Sequence, residues 1–261
     1  MASYYFLTSL FPSIEIGHTP SLHFEELAAL MADRLENKDY AKFSLMRYLV
    51  DLENLRAYLQ GQELDPLGNL SEVWQIEQSL RFATHFDQEV FDFLAQYHKL
   101  EDRLRHFSKL FALFFQCQVR IQEGFLQQYF RFEREMRLCL LGFRAKKRKS
   151  NLLEELQYED PHDRFVAQML AQKDAAHFEP PFEYEDLKHI YRSKSDDPFA
   201  FHKALCEYRF QKIRDLETGL FFSIDKVLGF VARLMIVESW LKMDAKRGLS
   251  IVETMSVRMK K

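Results

Sequence analysis

Residues 88–142 read QEVFDFLAQYHKLEDRLRHFSKLFALFFQCQVRIQEGFLQQYFRFEREMRLCLLG, with no proline and with Gly124 and Gly142 as the only glycines. The stretch lies inside a longer run, Pro66 to Pro161, that has no internal proline and adds only Gly68. Proline costs a helix interior about 3 kcal/mol and glycine about 1 kcal/mol. A segment so free of both is built to stay helical over long distances. As one helix, residues 88–142 would run roughly 80 Å at about 1.5 Å per residue. A break near Gln96–Lys99 would still leave long rods. The chain therefore reads first as an object with length, one that joins other things.

Helical periodicity extends outward on both sides. Upstream, Ser21 can cap a helix with Glu25 or Glu26 in its first turn, and Leu27, Leu30, Met31 and Leu35 form its apolar stripe. Asn37-Lys-Asp39 interrupts the pattern; Phe43, Met46, Leu49, Val50 and Leu52 restart it, and it continues to Leu59 before Gly61. Downstream, a helix is expected from Phe199 to about Glu217. Another starts near Ser223, with a stripe through Ile224, Val227, Leu228, Val231, Leu234, Met235 and Leu241, and ends near Arg247-Gly248. Ser250 to Lys261 follows as a short final helix. Of the three Asp-Pro pairs, Asp160-Pro161 and Asp197-Pro198 are expected to open helices, because Asp accepts from orphan N–H groups and Pro suits the first helical position.

Two regions lack this order. Tyr4 to Ile16 mixes aromatic and aliphatic residues without a helical period and is expected to be extended or irregular, with room for a short strand. Residues 177–198 hold the strongest loop signals and suggest a hinge or surface excursion. With no β alternation after the first twenty residues, the fold class is all-α: long antiparallel helices in a bundle or funnel of pseudo-repeated helical units, with an irregular N-terminal segment. Residues 1–261 are expected to form a single helical domain, divisible into sub-units 1–70, 71–176 and 177–261.

The 261 residues are 47% hydrophobic, enough for a sizeable core, and the formal charge of −3 gives no global pull toward nucleic acid or an anionic membrane. Twenty-five phenylalanines and eleven tyrosines supply aromatic bulk for filling gaps between helices and for partner surfaces. Cys117, Cys139 and Cys206 are far apart and unpatterned, which suits a reducing cytoplasm. The start has no basic n-region, so no secretory signal is expected. The longest charge-free runs fall short of a membrane span.

Candidate chemistry is sparse. His98, Asp102 and His106 at i, i+4 and i+8 would line one helix face. Over two turns they span roughly 12 Å, too far for one ion to hold all three, and a solvated charged face is the preferred alternative. The Glu-x-x-His pair Glu15 to His18 lies in the irregular N-terminal segment, and Asp186 to His189 has no matching partner motif, so no di-iron bundle is expected. Neither usual phosphate cradle is present, nor a nucleophile elbow. Cys117 reads as a buried small hydrophobe. The basic block Arg144-Ala-Lys-Lys-Arg-Lys stands at an expected helix C-terminus, where the helix dipole favours cations. Glu238, on or beside the last apolar stripe, is expected to pair with Lys242 at i+4, the alternative being a partner contact. Phe111, Phe114, Phe115, Phe125, Tyr129, Phe130 and Phe132 are mostly core, but too many are adjacent for one stripe to hide, which leaves some for a second face or a partner.

Three stretches together carry a resemblance. They are Tyr4-Tyr-Phe-Leu-Thr-Ser-Leu-Phe-Pro with the following Pro20-Ser-Leu-x-Phe-Glu-Glu; Asp51-Leu-Glu-Asn-Leu-Arg56 with Asp65-Pro-Leu-Gly-Asn69; and Phe222-Ser-Ile-Asp-Lys-Val-Leu-Gly-Phe with Glu238-Ser-Trp-Leu-x-Met-Asp and Gly248. They resemble a bacterial family found with the V-type (A/V-type) ATP synthases of chlamydiae, spirochaetes and Bacteroidetes-like bacteria. The resemblance spans nearly the whole chain. It implies a counterpart of the C-type stalk component of these synthases, called d-type in the eukaryotic V-type enzyme, which is similar to a threefold array of helical units. Asp51 to Arg56 matches the acidic–Asn–Leu–Arg helix of that array. Phe132 to Lys147 matches in part, with Met136 where Asn is expected, and a third copy falls around Glu238.

What the resemblance implies is a non-catalytic central-stalk (rotor) component of a proton- or sodium-translocating rotary ATPase, serving ion transport and ATP synthesis. Its partners would be the proteolipid rotor ring and the central axle subunits, and its place cytoplasmic, peripheral at the inner membrane through the complex. No catalytic residue, cofactor, metal, nucleic acid or small-molecule substrate is expected. The rival expectations are a cytoplasmic helical scaffold or assembly factor, and a metal-dependent helical enzyme using His98 and its neighbours.

Overall fold

The computed structural model of the chain describes residues 4–259, with side chains described to Asp244. The described residues form thirteen α-helices, a single 3₁₀ turn at Phe182–Tyr184 and no strand. The fold is all-α. In chain order the helices are α1 (Tyr5–Ser9), α2 (Phe24–Arg34), α3 (Asn37–Leu59), α4 (Val73–Phe82), α5 (Gln88–Gln96), α6 (Leu100–His106), α7 (Ser108–Ile121), α8 (Gly124–Arg148), α9 (Leu152–Glu155), α10 (Arg164–Leu170), α11 (Glu185–Lys194), α12 (Pro198–Leu216) and α13 (Ile224–Met259). Two compact units emerge. One is the N-terminal segment through Tyr40 together with Arg192 onward; the other is Ala41–Tyr191. They part at 40/41 and 191/192, whereas the sequence places sub-unit limits at 70/71 and 176/177.

In the second unit, residues 88–142 are not one helix but α5, α6, α7 and most of α8. The interruption near Gln96–Lys99 is present, α6 passes into α7 through Phe107, whose backbone is itself helical, and a second break in extended backbone falls at Gln122–Glu123. Neither break depends on proline. Arg103 donates from Nε to the Tyr97 carbonyl at 2.6 Å and from Nη2 to the Leu94 carbonyl at 3.2 Å, satisfying groups that the end of α5 leaves orphaned. Gln127 does the same for α7, donating from Nε2 to the Val119 carbonyl at 3.0 Å. Doubling the chain back packs α7 against α8 and α5 against α7. It brings Phe114 to 5.2 Å from Phe130 and Phe93 to 5.9 Å from Phe107, ring centre to ring centre and edge to face. Burying these rings outweighs continuing a straight rod.

The adjacent aromatics are absorbed internally. Phe114 lies 5.8 Å from Tyr48 of α3 and Phe115 lies 6.4 Å from Phe130, while Phe132 stacks on Tyr184 at 6.4 Å. The 177–198 excursion is largely helical: the 3₁₀ turn leads directly into α11, with Leu187 fully buried.

In the first unit, α13 packs against α12, α2 and α1. Val227, Leu228, Val231, Leu234 and Val237 are completely buried, and so nearly are Phe230, Ala232 and Ile236. A helix apolar on every side belongs in the centre of its unit. It begins after Ser223, as its sequence predicts, but continues through Gly248 to Met259 as one helix rather than ending there. The N-terminal segment is not extended at its start: Tyr5–Ser9 is a helical turn, whose Thr8 and Ser9 hydroxyls donate back to the Tyr4 and Phe6 carbonyls. Beyond it the segment is irregular as far as His23, held by Phe11 stacked on Phe230 at 4.1 Å. His23, not Ser21, caps α2, with Glu26 accepting from the His23 N–H at 2.9 Å. Asp197-Pro198 opens α12 as expected, Asp197 accepting from Phe199 and Ala200. Asp160-Pro161 forms a turn instead, and the cap of α10 is Asp163, which accepts from Phe165 and Val166.

Glu217, just past α12, is buried and clamps that end to α13. Its carboxylate accepts from Arg233 Nε at 2.5 Å and Nη2 at 3.1 Å, and from Lys226 Nζ at 2.8 Å. Gly229 makes room for it: a methyl there would stand 2.7 Å from Glu217 Cδ and 2.9 Å from Oε1. Gly229→Ala is expected to lower the unfolding free energy by about 1–3 kcal/mol, the range for overpacking a buried site, read from urea denaturation monitored by circular dichroism.

Candidate functional site

The resemblance motif Asp51 to Arg56 lies on α3, and its partners lie in the loop after that helix. Ser44, Arg47, Asp51 and Asn54 recur at i, i+3, i+7 and i+10, so they form one stripe of α3. That stripe grips residues 65–70. Asp51 is fully buried; Oδ1 accepts from the Leu70 N–H at 2.8 Å, and Oδ2 accepts from Asn69 Nδ2 at 2.7 Å and lies 2.8 Å from His85 Nε2. Asn54 accepts from the Asp65 N–H at 2.7 Å and donates to the Asp65 and Leu70 carbonyls at 2.9 and 2.8 Å, which engages both amide N–H groups and the amide oxygen. Arg47 donates to the Leu67 and Gly68 carbonyls, and Ser44 bonds Asn69 through both its hydroxyl and its carbonyl. Gly68 is the point of closest approach: a methyl there would lie 2.6 Å from Asp51 Oδ1 and 2.8 Å from Asn54 Nδ2.

A second brace joins α8 to the turn before α10. Buried Arg134 donates to Glu159 from Nε at 3.0 Å and Nη2 at 2.7 Å, and to Asp163 from Nη1 at 3.1 Å. Burial works against the Arg134 charge, but the two carboxylates more than offset it and hold its pKa above the ordinary value. Deeper in α8, burial pushes the Cys139 thiol up, which disfavours the reactive thiolate.

Beside the last turn of α3 a cleft of about 330 Å³ opens among Glu53, Arg56, Gln60, Gln62, Phe111 and Arg137. Arg137 pairs with Glu53 and lies over the Phe111 ring at 4.0 Å, which fixes the plane of its guanidinium. Two guanidiniums against one carboxylate make the cleft wall cationic. Part of that charge answers the carbonyls at the C-terminus of α3.

The other sequence candidates are dispersed. His98 precedes α6 while Asp102 and His106 lie on it, so the three do not share a helix face. His106 Nδ1 is 2.5 Å from the Tyr158 hydroxyl, and its ring stacks on Tyr97 at 4.6 Å. Glu15 and His18 stand 3.8 Å apart, both exposed. Asp186 and His189 fall on α11. Among the described residues no three His, Cys, Asp or Glu side chains gather closely enough to hold a metal ion. Cys117 is only half-buried. The basic block does end a helix: Arg144, Lys147, Arg148 and Lys149 are exposed, and Lys146 donates to the Gln172 and Lys173 carbonyls at 2.7 Å. Glu238 finds partners across the fold. Its Oε1 accepts from the Phe24 N–H at 2.6 Å and lies 3.2 Å from His23 Nδ1, placing a carboxylate at the N-terminus of α2. The sequence offers Lys242 or a partner contact instead, because a contact 214 residues away leaves no local trace.

Comparison with known proteins gives a family model described as protein of unknown function (DUF2764), matching residues 1–260. An uncharacterized protein of Chlamydia trachomatis is 27% identical over 259 residues, covering 96% of both chains. Uncharacterized proteins of Chlamydia muridarum and Chlamydia pneumoniae are 26% and 28% identical, covering 100% and 97% of each chain. No solved structure matches.

Asp51→Ala would orphan the Leu70 N–H and the Asn69 amide in the interior. It is expected to cost about 3 kcal/mol, measured by chemical denaturation. Gly68→Ala is expected to destabilise in the same direction, with amide exchange accelerated first across residues 65–70.

Proposed function

This chain belongs to the DUF2764 family, and on that premise we propose that it is a non-catalytic central-stalk component of a V-type ATP synthase, coupling the membrane proteolipid ring to the central axle. The observation that carries the proposal is cross-bracing. Asp51, Arg134 and Glu217 are buried charged groups, and each is bonded to a helix or loop other than the one that carries it. Such contacts resist shear between helices, which an element under torque requires. α8 and α13, at 25 and 36 residues, supply rods of about 37 and 54 Å. The motif likeness to the ATP synthase-associated family accords with this role, as does the chlamydial origin of the relatives. No helix among the described residues is long and apolar enough to cross a membrane, so contact with the ring would be made from outside the bilayer.

Affinity purification of the chain at its native expression level tests the proposal. Stoichiometric recovery of axle and ring subunits is expected. Transient, substoichiometric recovery would mark an assembly factor instead. Elemental analysis showing one metal ion per chain would favour the enzyme alternative.

A further inference from the structure

The cleft beside the last turn of α3 holds more hydrogen-bond donors than its own residues can meet. Arg137 reaches Glu53 through Nη2, while its Nε and Nη1 find no acceptor among the described residues. The Arg56 guanidinium and the Gln60 and Gln62 side-chain amides find none either, and all four residues line the same space of about 330 Å³. That volume lies at the lower end for ligand clefts. It suits the end of one side chain better than a nucleotide or cofactor.

Arg56 is not required to close the end of α3. The Gln60 N–H donates to the Arg56 and Ala57 carbonyls at 3.1 and 3.0 Å, the Gly61 N–H to the Tyr58 carbonyl at 3.0 Å, and the Gln62 N–H to the Ala57 carbonyl at 2.9 Å. Backbone donors thus take those carbonyls, with Gly61 at φ +65 making the turn. Arg137 is held in place before any ligand arrives, 4.0 Å over the Phe111 ring and 5.9 Å over that of Phe115. A guanidinium fixed in this way loses little freedom on gaining an acceptor, and its fork matches a carboxylate.

Charge sets the class of ligand. Two guanidiniums and Glu53 leave one positive charge in the cleft, and the C-terminus of α3 offsets about half of it. One further carboxylate brings the cleft close to neutrality, whereas a phosphate dianion would overload it by about one charge or more. Glu53 shows the fit from inside the chain, since its own carboxylate already meets Arg137. On the same face of α8, Arg144 and Arg148 stand at i+7 and i+11 from Arg137 and are exposed, which draws an acidic segment toward the cleft. We propose that the Arg56–Arg137 cleft receives a single Glu or Asp side chain from an acidic segment of a partner protein, with Glu53 competing for Arg137 as an internal stand-in. This recognition holds whether or not the chain is a stalk component.

The test titrates the full chain into a fluorescein-labelled oligoglutamate peptide and reads anisotropy. Glu53→Gln releases Arg137 and is expected to tighten binding at least about threefold, while Arg56→Gln is expected to weaken it at least about tenfold. Arg148→Gln, on the same face but outside the cleft, is expected to change it less than about twofold. At matched ionic strength, acetate is expected to displace the peptide at least as well as inorganic phosphate. Binding that Glu53→Gln does not tighten overturns the inference. Equal losses in Arg56→Gln and Arg148→Gln assign the peptide to general positive charge and overturn it as well. Better displacement by phosphate assigns the cleft to phosphate, with the same consequence. A parent chain that binds oligoglutamate no better than a glycine-serine peptide also overturns it.

Discussion

A carboxylate removed from water must be met by donors, and Asp51 is removed from water completely. Its answer comes from outside its own helix: a backbone N–H, a side-chain amide and an imidazole, all between Asn69 and His85. That requirement fixes where the chain after α3 may run. It makes loop 65–70 part of the interior scaffold, obliges residue 68 to be glycine, and leads the chain toward α4 and α5 in one register. The aromatic layer of Tyr48, Phe114 and Phe130 then assembles against a surface already defined.

Glu217 plays the matching part in the other unit. There the donors are Arg233 and Lys226 on α13, and a glycine again supplies the space. Arg233 is further confined by the Phe210 and Phe230 rings at 5.4 and 5.7 Å. Paired buried charges of this kind add little net stability compared with apolar packing, but breaking one partner is costly. Their effect is to penalise sliding or rotation of one helix against its neighbour. This is the property that makes a coupling element an economical account of the chain.

Several features are legible from residues alone because their causes are local. The all-α class follows from helical periodicity without β alternation after the first twenty residues, and the start of α13 from Ser223 and the apolar stripe beyond it. Asp197-Pro198 announces α12 because a cap and a preset φ act within three residues. Asp160-Pro161 looks identical and opens no helix, since Asp163 caps α10 and is itself held by Arg134. The break at Gln122–Glu123 is hidden for a related reason. The breaks in residues 88–142 are stabilised by Arg103 and Gln127 reaching back to spare carbonyls, and neither residue type marks a helix end by its presence. The motif stretches Asp51–Arg56 and Asp65–Asn69 both stand out in the sequence. That each is the other's binding partner is visible only where their stripe and loop meet.

Period, propensity and capping chemistry act over a few residues, so the sequence by itself determined helix content, most apolar faces and the scarcity of catalytic motifs. Tertiary structure alone decided which carboxylate meets which cation, where a long helical run folds back, and which aromatic rings stay outside. Glu238 reaching Phe24, and Phe222 held at positive φ beside Tyr5, are decisions of that second kind. The physical reason is that their energies depend on desolvation and on distances between residues hundreds of positions apart, and no local pattern carries that information.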